Sequence, residues 1–182
     1  YKLKAPPMSL LIFLTSAAVI GCLNNGNLDW LPMLAFILPA RWGLIFAVIK
    51  PQIGIGMGIF WLFESYREGG ILAVLKTFAP VCVLLLLSFG LYGFWFLEFS
   101  RLENNLNNMS LFPYSVPIGL YLIWASISRR DIRPAMASSP LLAPYVTQFS
   151  YAAVLASLLQ KPVWLGIVSA ILWIPVILRV FG

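Results

Sequence analysis

Apolar runs follow one another along the whole chain, at 8–23, 30–40, 42–65, 71–97, 111–128, 140–160 and 162–181. A membrane-spanning helix needs roughly 20 mostly apolar residues, or about 17 at the short end. The alternating short strands of a transmembrane barrel do not occur. Of the 182 residues 61% are hydrophobic and 10% charged, with a mean hydropathy of +0.91, against about a quarter charged in soluble domains. Such a chain cannot hide its apolar surface in one globular core. The expected fold class is all-α: a polytopic helical transmembrane protein with about six to seven apolar segments, forming one integral-membrane domain over 1–182. The runs at 8–23 and 30–40 are short for a span, and 71–97 is long enough to tilt or to bend at Pro80. The chain opens on Tyr1 and is read as the C-terminal part of a longer one. "YKLK" before an apolar run mimics a signal peptide, but no small-residue cleavage site follows, so 8–23 is read as a first span.

The net charge of +6 comes from 12 Lys+Arg against 6 Asp+Glu. The basic residues lie mostly at the ends of the runs, where they set orientation by the positive-inside rule rather than bind nucleic acid. Lys2, Arg67 and the "RRDIR" of Arg129–Arg133 fall on one side, taken as cytoplasmic, if 30–50 makes no net crossing. That stretch is then a re-entrant element or two short legs. Asp29, Glu103 and Lys161 are expected on the opposite side. Histidine is absent, and Cys22 and Cys82 occupy separate apolar runs, so no metal-ligand spacing arises and no cofactor is expected. Both cysteines are expected to be buried and inert.

"LIFAVIKPQIGIGMGIFWLFE" (44–64) places a cation and a helix breaker inside hydrocarbon. A lone ammonium at mid-bilayer costs roughly 3 kcal/mol on insertion scales, so Lys50 should face a cavity and a partner, or snorkel from the end of a short segment. Pro51 removes a backbone donor and orphans the carbonyl of Ala47, which predicts a break within two residues of Pro51. On an intact helix Lys50 and Gln52 would point nearly opposite ways; at a break both can line one polar pocket. Gly43, Ala47, Lys50, Gly54 and Gly58 share one face at helical spacing, and the small residues there suit close helix packing.

"NNGNLDW" (24–30) reads as a polar turn leading into a helix N-terminus. Asp29 is either a cap or, near an outer interface, an orienting group for a hydroxylated substrate. In "SSPLLAPYVTQFSY" (138–151), Tyr145, Gln148 and Tyr151 fall on one arc of an expected helix, as interhelical bonds or as a cavity wall.

The stretch "NGNLDWLPMLAFILPARWGLIFAVIKPQ" (25–52) resembles the middle of a GT-C-type membrane glycosyltransferase of the polyprenyl-phosphate-mannose-dependent mannosyltransferase family. The matching features, in order, are Gly26-Asn27, the short apolar helix 30–40, Gly43 and Lys50-Pro51-Gln52. Ser139, Pro140 and Tyr145 resemble the family's Ser-Pro segment, and the likeness covers roughly 20–160. It implies transfer of a mannose-like sugar from a polyprenyl-phosphate donor at the outer face of a bacterial-type plasma membrane. Membrane lipid and that donor are the implied partners. Lys50, Gln52, Asn27 and Tyr145 are the implied binding residues; Asp29 is the one candidate base in this stretch. The family's usual carboxylate belongs to a loop before Tyr1, and its usual histidine is absent. A non-catalytic membrane subunit or a small-solute transporter is the alternative, since broken helices also build transport sites.

Overall fold

The computed structural model describes residues 5–94, 97 and 108–181. All regular structure among them is helical. Helices α1 (Pro7–Leu14) and α2 (Ala17–Asn24) meet at a 50° bend. Helix α3 (Trp30–Met33) runs into a 3-10 turn (Leu34–Phe36), followed by α4 (Ala40–Ala47) and α5 (Pro51–Tyr92). Helices α6 (Val116–Arg129) and α7 (Ile132–Leu142) come next. A second 3-10 turn (Gln148–Tyr151) leads into α8 (Ala152–Ser157), and α9 (Pro162–Phe181) closes the fold.

The structure has fewer membrane-length helices than the six to seven apolar segments expected. Among the described residues two helices, Pro51–Tyr92 and Pro162–Arg179, are long and apolar enough to cross a membrane, or three if the bent α1–α2 pair counts as one. The remaining apolar runs are cut into shorter helices by polar and proline-containing breaks. Ser16 interrupts 8–23 and caps α2, its hydroxyl accepting from the Val19 amide at 3.4 Å. Residues 143–147 interrupt 140–160, so the single helix expected there is instead α7, an irregular strap, a 3-10 turn and α8. Apolarity records where side chains are buried, not how far a helix continues.

The expected break at Pro51 is present. Helix α4 ends at Ala47, and Lys50 takes an extended conformation (φ −134°, ψ 93°) because the ring of Pro51 disfavours the helical region for its predecessor. Pro51 then begins α5, at the position where a missing donor costs nothing. Helix α5 is itself folded in two. Gly69 and Gly70 leave helical geometry, Gly70 at φ 62°, and the Ser65 hydroxyl donates to Thr77 Oγ1 at 3.1 Å. Twelve residues of straight helix would set those side chains about 18 Å apart. The chain turns at this Gly-Gly pair, and at Pro80 it stays helical.

On the first leg of α5, Ile53, Met57 and Phe60 stand one turn apart and are buried with Met136 of α7 and Leu155 of α8 in one core cluster. Close approach is permitted by glycine: a Cβ on Gly56 would strike the Ala135 carbonyl and the Ser138 hydroxyl, and one on Gly54 would strike Ala47. The glycine stripe thus works in packing, between α4 and α5 rather than along one helix. The second leg stays exposed along Leu72, Leu75, Val83, Leu86, Leu87 and Leu91. Cys82 on this leg is exposed and only Cys22 is buried, which corrects the expectation for the pair.

Two ends of the bundle differ in chemistry. At one, the Arg67 guanidinium donates to the Ile127 carbonyl at 2.6 Å, Arg130 faces Glu64 at 3.9 Å, and Arg133 bonds Asp131 and Gln160. At the other, Asn27, Asp29, Lys50, Thr147 and Ser150 meet. Because Asp29 touches Lys50, the stretch 30–49 leaves and returns to the same place and makes no net progress along the bundle. Lys161 follows Gln160, the partner of Arg133, so it lies at the arginine-rich end and not with Asp29 as expected. Helix α7 climbs from Arg133 and α8 descends again, so 132–160 is a there-and-back path rather than one crossing. Lys2 and Glu103 lie outside the described residues.

Candidate functional site

The turn after α2 carries the first part of the site. Gly26, at φ 59°, reverses the chain there, and the Asn27 amide reaches back to the Cys22 carbonyl at 3.0 Å. This aims the Asn27 side chain at Lys50, whose ammonium donates to Asn27 Oδ1 at 3.3 Å and pairs with the Asp29 carboxylate. Asp29 is 1% exposed. Its other oxygen accepts from Ser150 Oγ at 2.9 Å and Thr147 Oγ1 at 3.4 Å. A buried carboxylate is tolerated when a cation and hydrogen-bond donors compensate it, and here Lys50 and the 147–150 segment supply them. Lys50 therefore finds a partner inside the protein, and its charge is balanced there.

Beside this network a cleft of about 570 Å³ opens between α2, α9 and the strap 143–149. Its polar lining includes Asn24, Asn25, Asn27, Tyr145 and Arg179, of which Asn24, Asn25 and Arg179 are exposed. Its apolar lining includes Ile20, Phe149, Trp173 and Val176. Trp173 is held in place, its Nε1 donating to the Thr15 carbonyl at the α1–α2 bend at 3.3 Å. Gln148 donates to the Leu172 carbonyl at 2.9 Å and so ties the 3-10 turn after the strap to α9. The strap is anchored from its other face, where Asn108 accepts from the Val146 amide at 3.0 Å and Tyr151 donates to the Met109 carbonyl at 2.8 Å. Burial raises the Tyr151 phenol above its ordinary pKa, so it remains a neutral donor.

Of the residues singled out from sequence, Asn27 and Tyr145 line the cleft together. Lys50 and Asp29 lie behind Asn27 and hold it. Gln52, half-buried in the first turn of α5, does not line the cleft, because the helix restarts at Pro51 and carries it away from the Lys50 side chain. Tyr145, Gln148 and Tyr151 share no helical arc: Tyr145 lies in the strap and the other two in a 3-10 turn. Thr147 and Ser150 as supports of Asp29, and Trp173 and Arg179 in the cleft, had no signal in local spacing. They lie more than 110 residues from Asn27 and meet it only in the folded chain. No family model, curated protein or solved structure matches this chain.

Proposed function

We propose that the protein is a multi-pass membrane protein of a bacterial-type plasma membrane whose cleft binds a polyprenyl-phosphate-linked, mannose-like sugar, as the donor-binding part of a GT-C-like glycosyltransferase. The observation that carries this reading is the polarity of the cleft. An amphiphile with a prenyl tail and a hydroxyl-rich head needs apolar contact and hydrogen-bonding groups in one site, and the lining of the cleft includes both. Its volume lies within the roughly 300–1,000 Å³ of small-molecule sites. The asparagine amides are donors and acceptors for sugar hydroxyls, and Trp173 and Val176 suit an isoprenoid chain. Among the described residues no carboxylate lines the cleft, and Asp29 is engaged by Lys50, Ser150 and Thr147. The proposal therefore assigns donor binding to these residues and proton abstraction to none of them.

The test is binding of a short-chain prenyl-phosphate mannose to the purified protein in detergent, with phosphatidylcholine as the control lipid. Asn24→Ala removes an exposed amide of the cleft lining and should weaken binding about threefold to tenfold, the effect of one neutral hydrogen bond. Trp173→Ala should weaken it more, through lost apolar contact. Binding by the parent no tighter than to phosphatidylcholine would refute the reading.

A further inference from the structure

We infer that Arg179, not Lys50, is the cation that receives the ligand's phosphate, an assignment that rests on the cleft reading above. A phosphate near Lys50 would have to share the ammonium with the buried Asp29 carboxylate, at the cost of like-charge repulsion in a poorly solvated place. Among the described residues no carboxylate pairs with Arg179, which lines the cleft and is exposed.

The preference of cations for helix C-termini accounts for an arginine in the last turn of α9, but not for the face it occupies. Trp173, Val176 and Arg179 follow at intervals of three on an arc of about 120°; all three line the cleft, and the Trp173–Thr15 bond turns that arc toward α2. Arg179 stands about 9 Å beyond Trp173 along the axis, and like Asn24 and Asn25 it is an exposed part of the lining. The cleft thus combines an apolar wall, a cation and amides, the three chemistries that a prenyl tail, a phosphate and a sugar require. The planar guanidinium also presents a fixed fork of donors to two phosphate oxygens, whereas an ammonium acts as a point charge.

The experiment compares farnesyl phosphate, farnesol and inorganic phosphate as ligands of the full chain in one neutral detergent. The parent should bind farnesyl phosphate at least about tenfold tighter than farnesol, the increment of a charge-assisted contact, and inorganic phosphate should compete poorly because it lacks the tail. Arg179→Met should bring the two farnesyl ligands to equal affinity; Arg179→Lys should keep part of the difference. The charge-balanced pair Lys50→Met with Asp29→Asn should retain the preference. An undiminished preference in Arg179→Met, or its loss in the balanced pair alone, overturns the assignment while leaving the cleft reading intact. A parent that binds neither farnesyl ligand overturns both. Strong competition by inorganic phosphate would mean a free-anion site and also overturns the lipid assignment. Arg179 is exposed, so its variants should unfold thermally with the parent, which the same samples verify.

Discussion

Lys50 and Asp29 are expensive residues that become acceptable only as a pair. Asp29 is nearly sealed from solvent and accepts hydrogen bonds from Ser150 and Thr147 in addition to the ammonium. From sequence, Lys50→Met is expected to leave folding intact or improved, since a buried charge is removed. The structure reverses that expectation, because the variant would strand a buried carboxylate. Breaking a buried pair from one side typically costs about 3–5 kcal/mol, whereas replacing both members is often neutral. Lys50→Met should therefore lower the thermal midpoint strongly, and Lys50→Met with Asp29→Asn should recover most of the loss. Equal midpoints for parent and Lys50→Met would remove the structural role. At the other end, Asp131 caps α7, accepting from the Arg133 amide at 3.0 Å and from its Nε at 2.8 Å. Burial alone would raise this carboxyl, but the Arg133 bonds and the nearby charges of Arg133 and Lys161 hold it below its ordinary pKa. Its stabilisation is then present above the unfolded value of about 3.9 and lost as pH falls through the folded value. Asp131→Asn should be less stable than the parent at neutral pH and converge with it in acid. A gap independent of pH would contradict the ion-pair origin.

The helices are placed by where they stop and by how closely they approach. Pro51 stops α4 and starts α5, and Gly69-Gly70 folds α5 back on itself. Gly56 lets α5 lie against α7, its amide donating to Ser139 Oγ at 3.0 Å. A methyl group at 56 meets a backbone carbonyl, which cannot swing aside. Gly56→Ala should thus cost about 1–3 kcal/mol, the usual range for overpacking. Gly90, within the exposed second leg, has nothing within 4 Å of a built Cβ. Gly90→Ala should be neutral or stabilising by up to about 1 kcal/mol through helix propensity. Unfolding of both variants in detergent measures the contrast, and similar effects at the two positions would mean that contact geometry does not decide them.

The molecule as a whole has an arginine-rich end and an asparagine-rich end. The second leg of α5 leaves Leu72, Leu75, Leu84, Leu86, Leu87 and Leu91 exposed, and an apolar solvent suits such a face. Lys161 joins Arg67 and Arg129 at the basic end, so the positive-inside bias is stronger than a one-crossing view of 140–160 allows. Single cysteines at 67, 129, 161 and 25, in a background with Cys22 and Cys82 replaced by alanine, give a direct check with a membrane-impermeant thiol reagent on intact spheroplasts. Positions 67, 129 and 161 should label alike and opposite to 25. Labelling of 161 together with 25 would overturn the there-and-back path of α7 and α8. The same path places Tyr145 at the Asn27 end although "RRDIR" lies at the other.

Helical class, the break at Pro51 and the need of Lys50 for a partner were all legible in the residues, because each follows from local physics: apolar run length, a missing backbone donor, the cost of a lone charge. The span count was not legible, since side-chain apolarity is the same whether a residue faces lipid or protein, and short helices inside a bundle read like pieces of a span. Nor was the identity of that partner. Asp29 and Lys50 are 21 positions apart, and Thr147 and Ser150 approach from the far end of the chain. Their meeting depends on packing α5 against α7 and α2 against the 148–151 turn. Arg179 joined the cleft for the same reason: a helix face acquires its neighbours only when the helix is docked, and the Trp173–Thr15 bond that docks α9 spans 158 residues.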